Sequence, residues 1–207
     1  PVRMQSDLRV VARKHSLDMA KKEYFSHVNL KAQSPADRLK LSRVTEVTSG
    51  ENLAKIGGYA NPTQHAEEGL MNSPGHRANI LHQSYNAVGI GVVLDSSGIY
   101  YFTQNFARRD LIFKRQIPRV VSRYAGLKIS GTAFLNVKAI MCRSRLFGSE
   151  RINFECVCIV RNREFAFVVS FRDPGAYEIL LYADKSGHGS FELANRFDLK
   201  VKRGFLF

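Results

Sequence analysis

Leu8, Val11, Ala12, His15 and Met19 recur at the three- and four-residue spacing of one helical face, with Arg9, Arg13, Lys14 and Lys21 around the remainder. This pattern predicts an amphipathic helix over residues 7–24. Ser34-Pro35-Ala36-Asp37 combines a capping hydroxyl, a proline at the first helical position and an acid in the first turn. A short helix is therefore expected over 35–43. Asn61-Pro62 and Ser73-Pro74 open two more by the same logic, the second carrying Ala78, Ile80 and Leu81. The period then changes. Val88–Leu94 and Ile99–Gln104 flank the turn Asp95-Ser96-Ser97-Gly98 and read as a β-hairpin.

From Asp110 the texture is all strand. Leu127–Phe134, Val137–Arg145, Ile152–Arg161, Phe165–Phe171, Tyr177–Tyr182 and Phe191–Val201 are β-rich runs separated by Gly, Asn, Asp and Ser, at the spacing of a sandwich. Phe154, Cys156 and Cys158 alternate onto one face. Asp173-Pro174-Gly175-Ala176-Tyr177, ahead of an apolar strand, resembles the tyrosine corner of immunoglobulin-like domains. The expected organisation is α+β, with one domain over 1–109 and a β-sandwich over 110–207.

Composition narrows the partners. Lys and Arg outnumber Asp and Glu by 31 to 18, a net charge of +13 shared between both halves. Such a balance favours anionic partners, including an anionic cell-surface component. No basic stripe with stacking aromatics or reading motif accompanies it, so nucleic acid is not expected. No apolar run reaches the length of a membrane span. The chain begins at Pro1 without a basic-then-apolar leader, so any export signal or anchor is expected upstream. The three cysteines, Cys142, Cys156 and Cys158, allow one disulfide from Cys142 to either of the others, or free buried thiols.

The polar candidates of the first half are His27, Glu51 and His76, which no local spacing ties together. His27 follows Tyr24-Phe25-Ser26, whose aromatic rings can wall an imidazole. Glu51 follows Gly50, which allows an unusual backbone shape at the acid. His76 lies in the first turn of a helix, where free N–H groups and the dipole favour the neutral imidazole that binds metal. Ser73 stands where its hydroxyl would cap that helix. His15 is expected in the core, and His65, His82 and His188 at the surface. Tyr100, Tyr101 and Gln104 lie along the hairpin, so that one side lines a cleft while the other packs.

Seven segments carry a family resemblance. They are His15-Ser16-x-x-Met19, Phe25-Ser26-His27, Ser34-Pro35-x-Asp37-Arg38, Gly50-Glu51-Asn52-Leu53-Ala54, Met71 through Leu81, Tyr85-x-x-Val88-Gly89-Ile90-Gly91 and Tyr100-Tyr101-x-Thr103-Gln104-Asn105-Phe106-Ala107. In this order they resemble bacterial members of the CAP superfamily, the cysteine-rich secretory, antigen 5 and pathogenesis-related proteins. The resemblance implies an α-β-α sandwich, followed here by the all-β sandwich domain. The family's first helix is mostly absent upstream of Leu8.

The resemblance also implies a secreted or cell-surface protein with a cleft holding two histidines, His27 and His76, and a first acid, Glu51. A divalent metal, zinc among the candidates, is the implied cofactor. The family's second acid falls at Ser73, with Glu67 and Glu68 as substitutes or as surface charges, and Leu70 replaces a common tryptophan. Asn52, Ser73, Tyr100 and Gln104 are the expected cleft residues for a small ligand. Two histidines and a carboxylate leave a coordination position open, as in a catalytic zinc site. Hydrolysis of peptide or cell-wall material is thus an alternative, as is a Ser73, His76 and Glu51 triad. The favoured expectation is a binding module, because the resemblance implies a family whose members are mostly non-enzymatic or of unsettled activity, and one expected acid is missing.

Overall fold

The computed structural model describes residues 2–44, 46, 48–134 and 136–204. The chain divides into two compact units, Pro1–Val44 with Thr48–Arg108, and Arg109–Phe207 with Thr45–Val47. Among the described residues, no helix is long and apolar enough to cross a membrane.

The first unit runs β1 (Arg3–Met4), α1 (Ser6–Lys22), α2 (Pro35–Leu41), β2 (Thr48–Gly57), α3 (Pro62–Asn72), α4 (Pro74–Ile80), β3 (Ala87–Leu94) and β4 (Ile99–Arg108). Its sheet has the order β1-β3-β4-β2. β1 joins β3 in parallel, and the other pairings are antiparallel. The helix expected over 7–24 ends at Lys22, where Glu23 turns left-handed at φ 55°. The expected hairpin is β3–β4. β2 carries the Gly50-Glu51-Asn52 segment and shows no strand period, because it alternates little in polarity.

The apolar face of α1 lies on β3 and β4 in two patches. Leu8 and Val11 pack with Leu39, Ala87 and Ala107, while Met19 and Ala20 pack with Leu53 and Tyr101. His15 lies between them at 1% exposure, in the core as expected. Two glycines permit the close approach. A Cβ on Gly89 would fall 2.2 Å from the Arg9 backbone nitrogen, and one on Gly91 2.2 Å from that of Arg13. Between the patches Ser16 Oγ donates to the Gly91 carbonyl at 3.1 Å and sits 2.8 Å from Thr103 Oγ1.

Alternation along β4 divides its residues between the faces of the sheet. Tyr101, Thr103 and Ala107 meet α1. Gln104 and Phe106 turn to the other face, where they meet Glu67 of α3 and the ring of Tyr85.

The second unit holds β5 (Leu111–Phe113), β6 (Val120–Ser122), β7 (Leu127–Ala133), β8 (Ala139–Leu146), β9 (Ile152–Ile159), β10 (Glu164–Val169), β11 (Gly175–Asp184) and β12 (Phe191–Lys202). The strands form one sheet of order β10-β7-β5 and another of order β6-β12-β11-β8-β9. Both contribute to one apolar cluster, with Ile129 and Phe165 from the first and Ile140, Ile179 and Leu199 from the second. Phe154, Cys156 and Cys158 pack against it together, as their alternation predicts. The short strands β5 and β6 escaped the sequence pattern.

Tyr177 is fully buried and its hydroxyl donates to the Asp173 carbonyl at 3.1 Å, the bond that the Asp173–Tyr177 pattern anticipates. The three cysteines are free thiols. Register places Cys142 opposite Cys156 and puts Ile140 opposite Cys158. Burial pushes the Cys142 thiol pKa up, followed by the proximity of Cys156.

The α1 contact predicts contrasting glycine substitutions. Gly91→Ala is expected to destabilise the chain by about 1–3 kcal/mol or more, because backbone must move to admit the methyl. Gly69→Ala, in open space on α3, is expected to stabilise it by up to about 1 kcal/mol. Urea midpoints of the two variants against the parent check both signs.

Candidate functional site

Glu51 and Asn52 are adjacent on β2, so their side chains leave on opposite faces of the sheet. Glu51 points to the side of α1 and α2. Its carboxylate accepts from His27 Nδ1 at 2.8 Å on one oxygen and from Arg38 Nη2 at 2.6 Å on the other. The Asn105 amide, oriented by its neighbours, adds a bond to the second oxygen at 3.1 Å. The side chains of Arg38 and Glu51 are 9% and 1% exposed. This is a buried ion pair completed by hydrogen bonds, the condition under which burying two charges is tolerated.

The local sequence explains how Arg38 gets there. Ser34 and Asp37 form the capping box of α2, each satisfying the other's backbone N–H. That fixed start turns Arg38 inward beside Leu39. Its Nη1 also donates to the carbonyls of His27 and Gln33, at 2.7 and 2.9 Å. One guanidinium therefore ties the loop after α1 to β2. Since a carboxylate only accepts, His27 Nδ1 carries the proton. Nε2 of the half-exposed ring is left as the basic nitrogen.

Asn52 points the other way. Its amide donates to the His76 carbonyl at 3.0 Å and to Gln104 Oε1 at 3.2 Å. Asn79 of α4 donates to Asn52 Oδ1 at 2.9 Å, and Gln104 donates to Glu67 Oε1 at 2.7 Å. Tyr100 lies on this face beside Phe102, their ring centroids 6.2 Å apart. Gly50 is ordinary strand rather than an unusual turn. Its bareness serves packing, for a Cβ there would lie 2.6 Å from the Tyr85 hydroxyl. Ser73 occupies the N-cap position of α4 without capping it. Its hydroxyl instead lies 2.9 Å from His76 Nδ1.

The structure thus brings His27 to Glu51 and His76 to Ser73, and anchors the two pairs on opposite faces of β2. Among the described residues no three His, Cys, Asp or Glu side chains are gathered as a metal ion requires. Both oxygens of Glu51 already hold donors. The expected His27, Glu51 and His76 set does not fit a three-ligand metal centre in this arrangement. The serine triad meets the same obstacle, since the carboxylate meant to orient His76 is bonded to His27. Glu68 lies on an exposed stretch and accepts from Gln64.

Residues 1–106 match the CAP family, described as the cysteine-rich secretory protein family. The chain belongs to that family. Two proteins of Bacillus subtilis (strain 168) are similar to it. "Uncharacterized membrane protein YlbC" is 43% identical over 101 residues, 48% of this chain and 26% of that protein. "Uncharacterized protein YkwD" is 38% identical over 106 residues, 51% of this chain and 39% of that protein. The chain therefore spans well under half the length of either relative.

Two solved structures are similar over 52% of the chain. An extracellular protein containing a SCP domain from Bacillus anthracis str. Ames has a TM-score of 0.46 and 32% identity over 34% of its own chain. An outer surface protein from Borrelia burgdorferi has a TM-score of 0.47 and 19% identity over 77% of its chain.

Arg38 stands in the Ser34-Pro35-x-Asp37-Arg38 segment, where nothing local marks it as the partner of Glu51. Its signal was a charge next to Leu39 on a short capped helix. Asn79 and Tyr85 lie in the family segments likewise, without a local signal of their role. Each contributes through a partner distant along the chain.

The ion pair of the CAP unit yields one prediction. Arg38→Met leaves the Glu51 carboxylate buried without its cation and is expected to destabilise the protein by about 3–5 kcal/mol. Adding Glu51→Leu is expected to recover much of that loss in denaturant unfolding.

A second prediction concerns His15. Burial, and then the charge of Arg38, lowers its pKa below the ordinary histidine value. Below about pH 6.5 the unfolded chain takes up a proton that the folded chain refuses. Stability is therefore expected to fall as the pH drops below about 6.5, by up to about 1.4 kcal/mol per pH unit. His15→Gln, compared by urea unfolding across that range, should flatten the slope.

Proposed function

We propose that this chain is a secreted or cell-surface CAP binding module, which holds a small polar ligand on the α3–α4 face and does not turn it over. The observation that carries this reading is the bonding of Glu51. Its carboxylate is bound to Arg38 and His27, so it is available neither as the orienting acid of His76 nor as an open metal ligand. On the other side Glu67, Ser73, His76 and Tyr100 reach solvent above the buried amides of Asn52 and Gln104, which hold that surface in place. Such a set binds and orients a molecule.

The finer architecture belongs to the same reading. We infer a CAP-type α-β-α sandwich over the first unit and an immunoglobulin-like β-sandwich over the second. Support comes from residues of β4 that meet helices on both faces, from the core common to the two later sheets, and from the Tyr177–Asp173 bond. The β-rich unit would attach the module to a surface or partner. The net charge of +13 favours an anionic one.

One observation favours the hydrolase alternative, the 2.9 Å approach of Ser73 Oγ to His76 Nδ1. Incubating the intact chain with peptides and with purified peptidoglycan, with and without zinc, separates the two. The module is expected to be retained by peptidoglycan while releasing no new amino termini or reducing ends. Retention should weaken in Ser73→Ala and Tyr100→Ala. Turnover abolished together by His27→Ala, Glu51→Ala and His76→Ala would replace this reading with catalysis.

A further inference from the structure

Register sorts the three cysteines of the β-rich unit. Cys142 of β8 stands directly opposite Cys156 of β9, while Cys158 faces Ile140. Residues opposite one another in an antiparallel pair hold their Cα atoms about 4.5–5.5 Å apart, inside the span of about 4.4–6.8 Å that a disulfide bridges. From Cys142 to Cys158 the separation is a diagonal of about 7–8 Å, which is too long. Cys156 and Cys158 are two positions apart on one strand, so their side chains rise in parallel about 6.7 Å from each other. A disulfide needs Cβ atoms about 3.5–4.5 Å apart, which rules out that pair as well.

The opposed pair is already in contact. The Cys142 thiol donates to the Cys156 sulfur. The Cys158 thiol is engaged elsewhere, donating to the Ala166 carbonyl of β10 at 3.6 Å. Cys142 is fully buried and Cys156 half-buried. β9 is an edge strand of its sheet, and Val157 and Ile159 on it are 55% and 62% exposed. An edge strand is held from one side only, so it yields the approach of about 1 Å that bonding requires.

We propose that Cys142 and Cys156 form a disulfide that fastens β9 to β8, with Cys158 left as a thiol. The oxidising exterior this requires belongs to the secreted or cell-surface reading, whereas the choice of pair follows from register alone. The oxidant is an external low-molecular-weight disulfide. The Cys156 thiolate attacks one of its sulfurs, which forms a mixed disulfide and releases one external thiolate. The Cys142 thiolate then attacks the Cys156 sulfur and displaces the second. Two electrons pass from the cysteine pair to the external disulfide, and the two thiol protons end on the released thiolates. Burial raises the pKa of both cysteines, so closure should quicken as the pH rises.

Equilibrating the intact chain with oxidised and reduced glutathione, once as the native protein and once refolded from urea so that access does not limit exchange, tests the pairing. Alkylation and mass spectrometry should then find a single free thiol, at Cys158, and a peptide joining Cys142 to Cys156. Cys158→Ser should close as the parent does. Cys142→Ala and Cys156→Ala should form no intramolecular bond. Three free thiols in both preparations, or a bond that includes Cys158, would overturn the proposal. Amide exchange within β9 should slow about tenfold on closure and recover on reduction. Unchanged exchange would overturn the fastening role. Export is read separately, from the presence of the protein in the culture medium, so a failure of the pairing and a failure of the secreted reading are told apart.

Discussion

The CAP unit depends on one buried charge pair. Arg38 and Glu51 meet at 2.6 Å with almost no exposure, and the same guanidinium holds the carbonyls of His27 and Gln33. Two ions in a poorly solvated place attract strongly, yet each loses its hydration. The surrounding bonds offset that loss: His27 and Asn105 occupy the rest of Glu51, and backbone carbonyls occupy most of Arg38. An irregular stretch of chain, residues 23–34, is thereby tied to a sheet with few apolar contacts of its own. In this arrangement an internal cation stands beside the acid that the family resemblance assigns to a metal.

Strand alternation then decides the chemistry. Because Glu51 and Asn52 are neighbours on β2, the two motif residues serve different faces. One face is charged, with the Arg38–Glu51 pair buried and His27 at its exposed edge. The other is built from amides, a hydroxyl and one peripheral acid, linked by Asn52, Gln104, Asn79 and Glu67. Acid–base work needs a carboxylate, an imidazole and a reacting group within a few ångströms of one another. Here the imidazole with an acid lies on one side, and the imidazole with a hydroxyl is anchored on the other.

The second unit shows how little chemistry is needed for a stable β structure. Its two sheets share a core of aliphatic and aromatic residues, and its buried polar groups are mostly structural. Tyr177 is a large apolar payload with one polar tip, and the Asp173 carbonyl satisfies that tip inside the fold. While reduced, the Cys142 thiol packs as a small apolar side chain, with burial opposing its ionisation. Such a unit is suited to presenting surfaces, and its surface is basic.

Local pattern determined the elements. The period of α1, the Ser34-Pro35 and Asn61-Pro62 starts, the β3–β4 hairpin and the long strands of the second unit were all legible, because each depends on neighbours a few residues away. The ordered motifs likewise carried the family. Where the pattern is not local, legibility ended. β2 has weak alternation, β5 and β6 are too short to show a period, and Arg38 draws its meaning from Glu51, thirteen positions on. Which face each side chain takes is set by register between strands distant in the chain. The tertiary structure alone could therefore pair His27 with Glu51, give His76 to Ser73, and set Cys142 opposite Cys156.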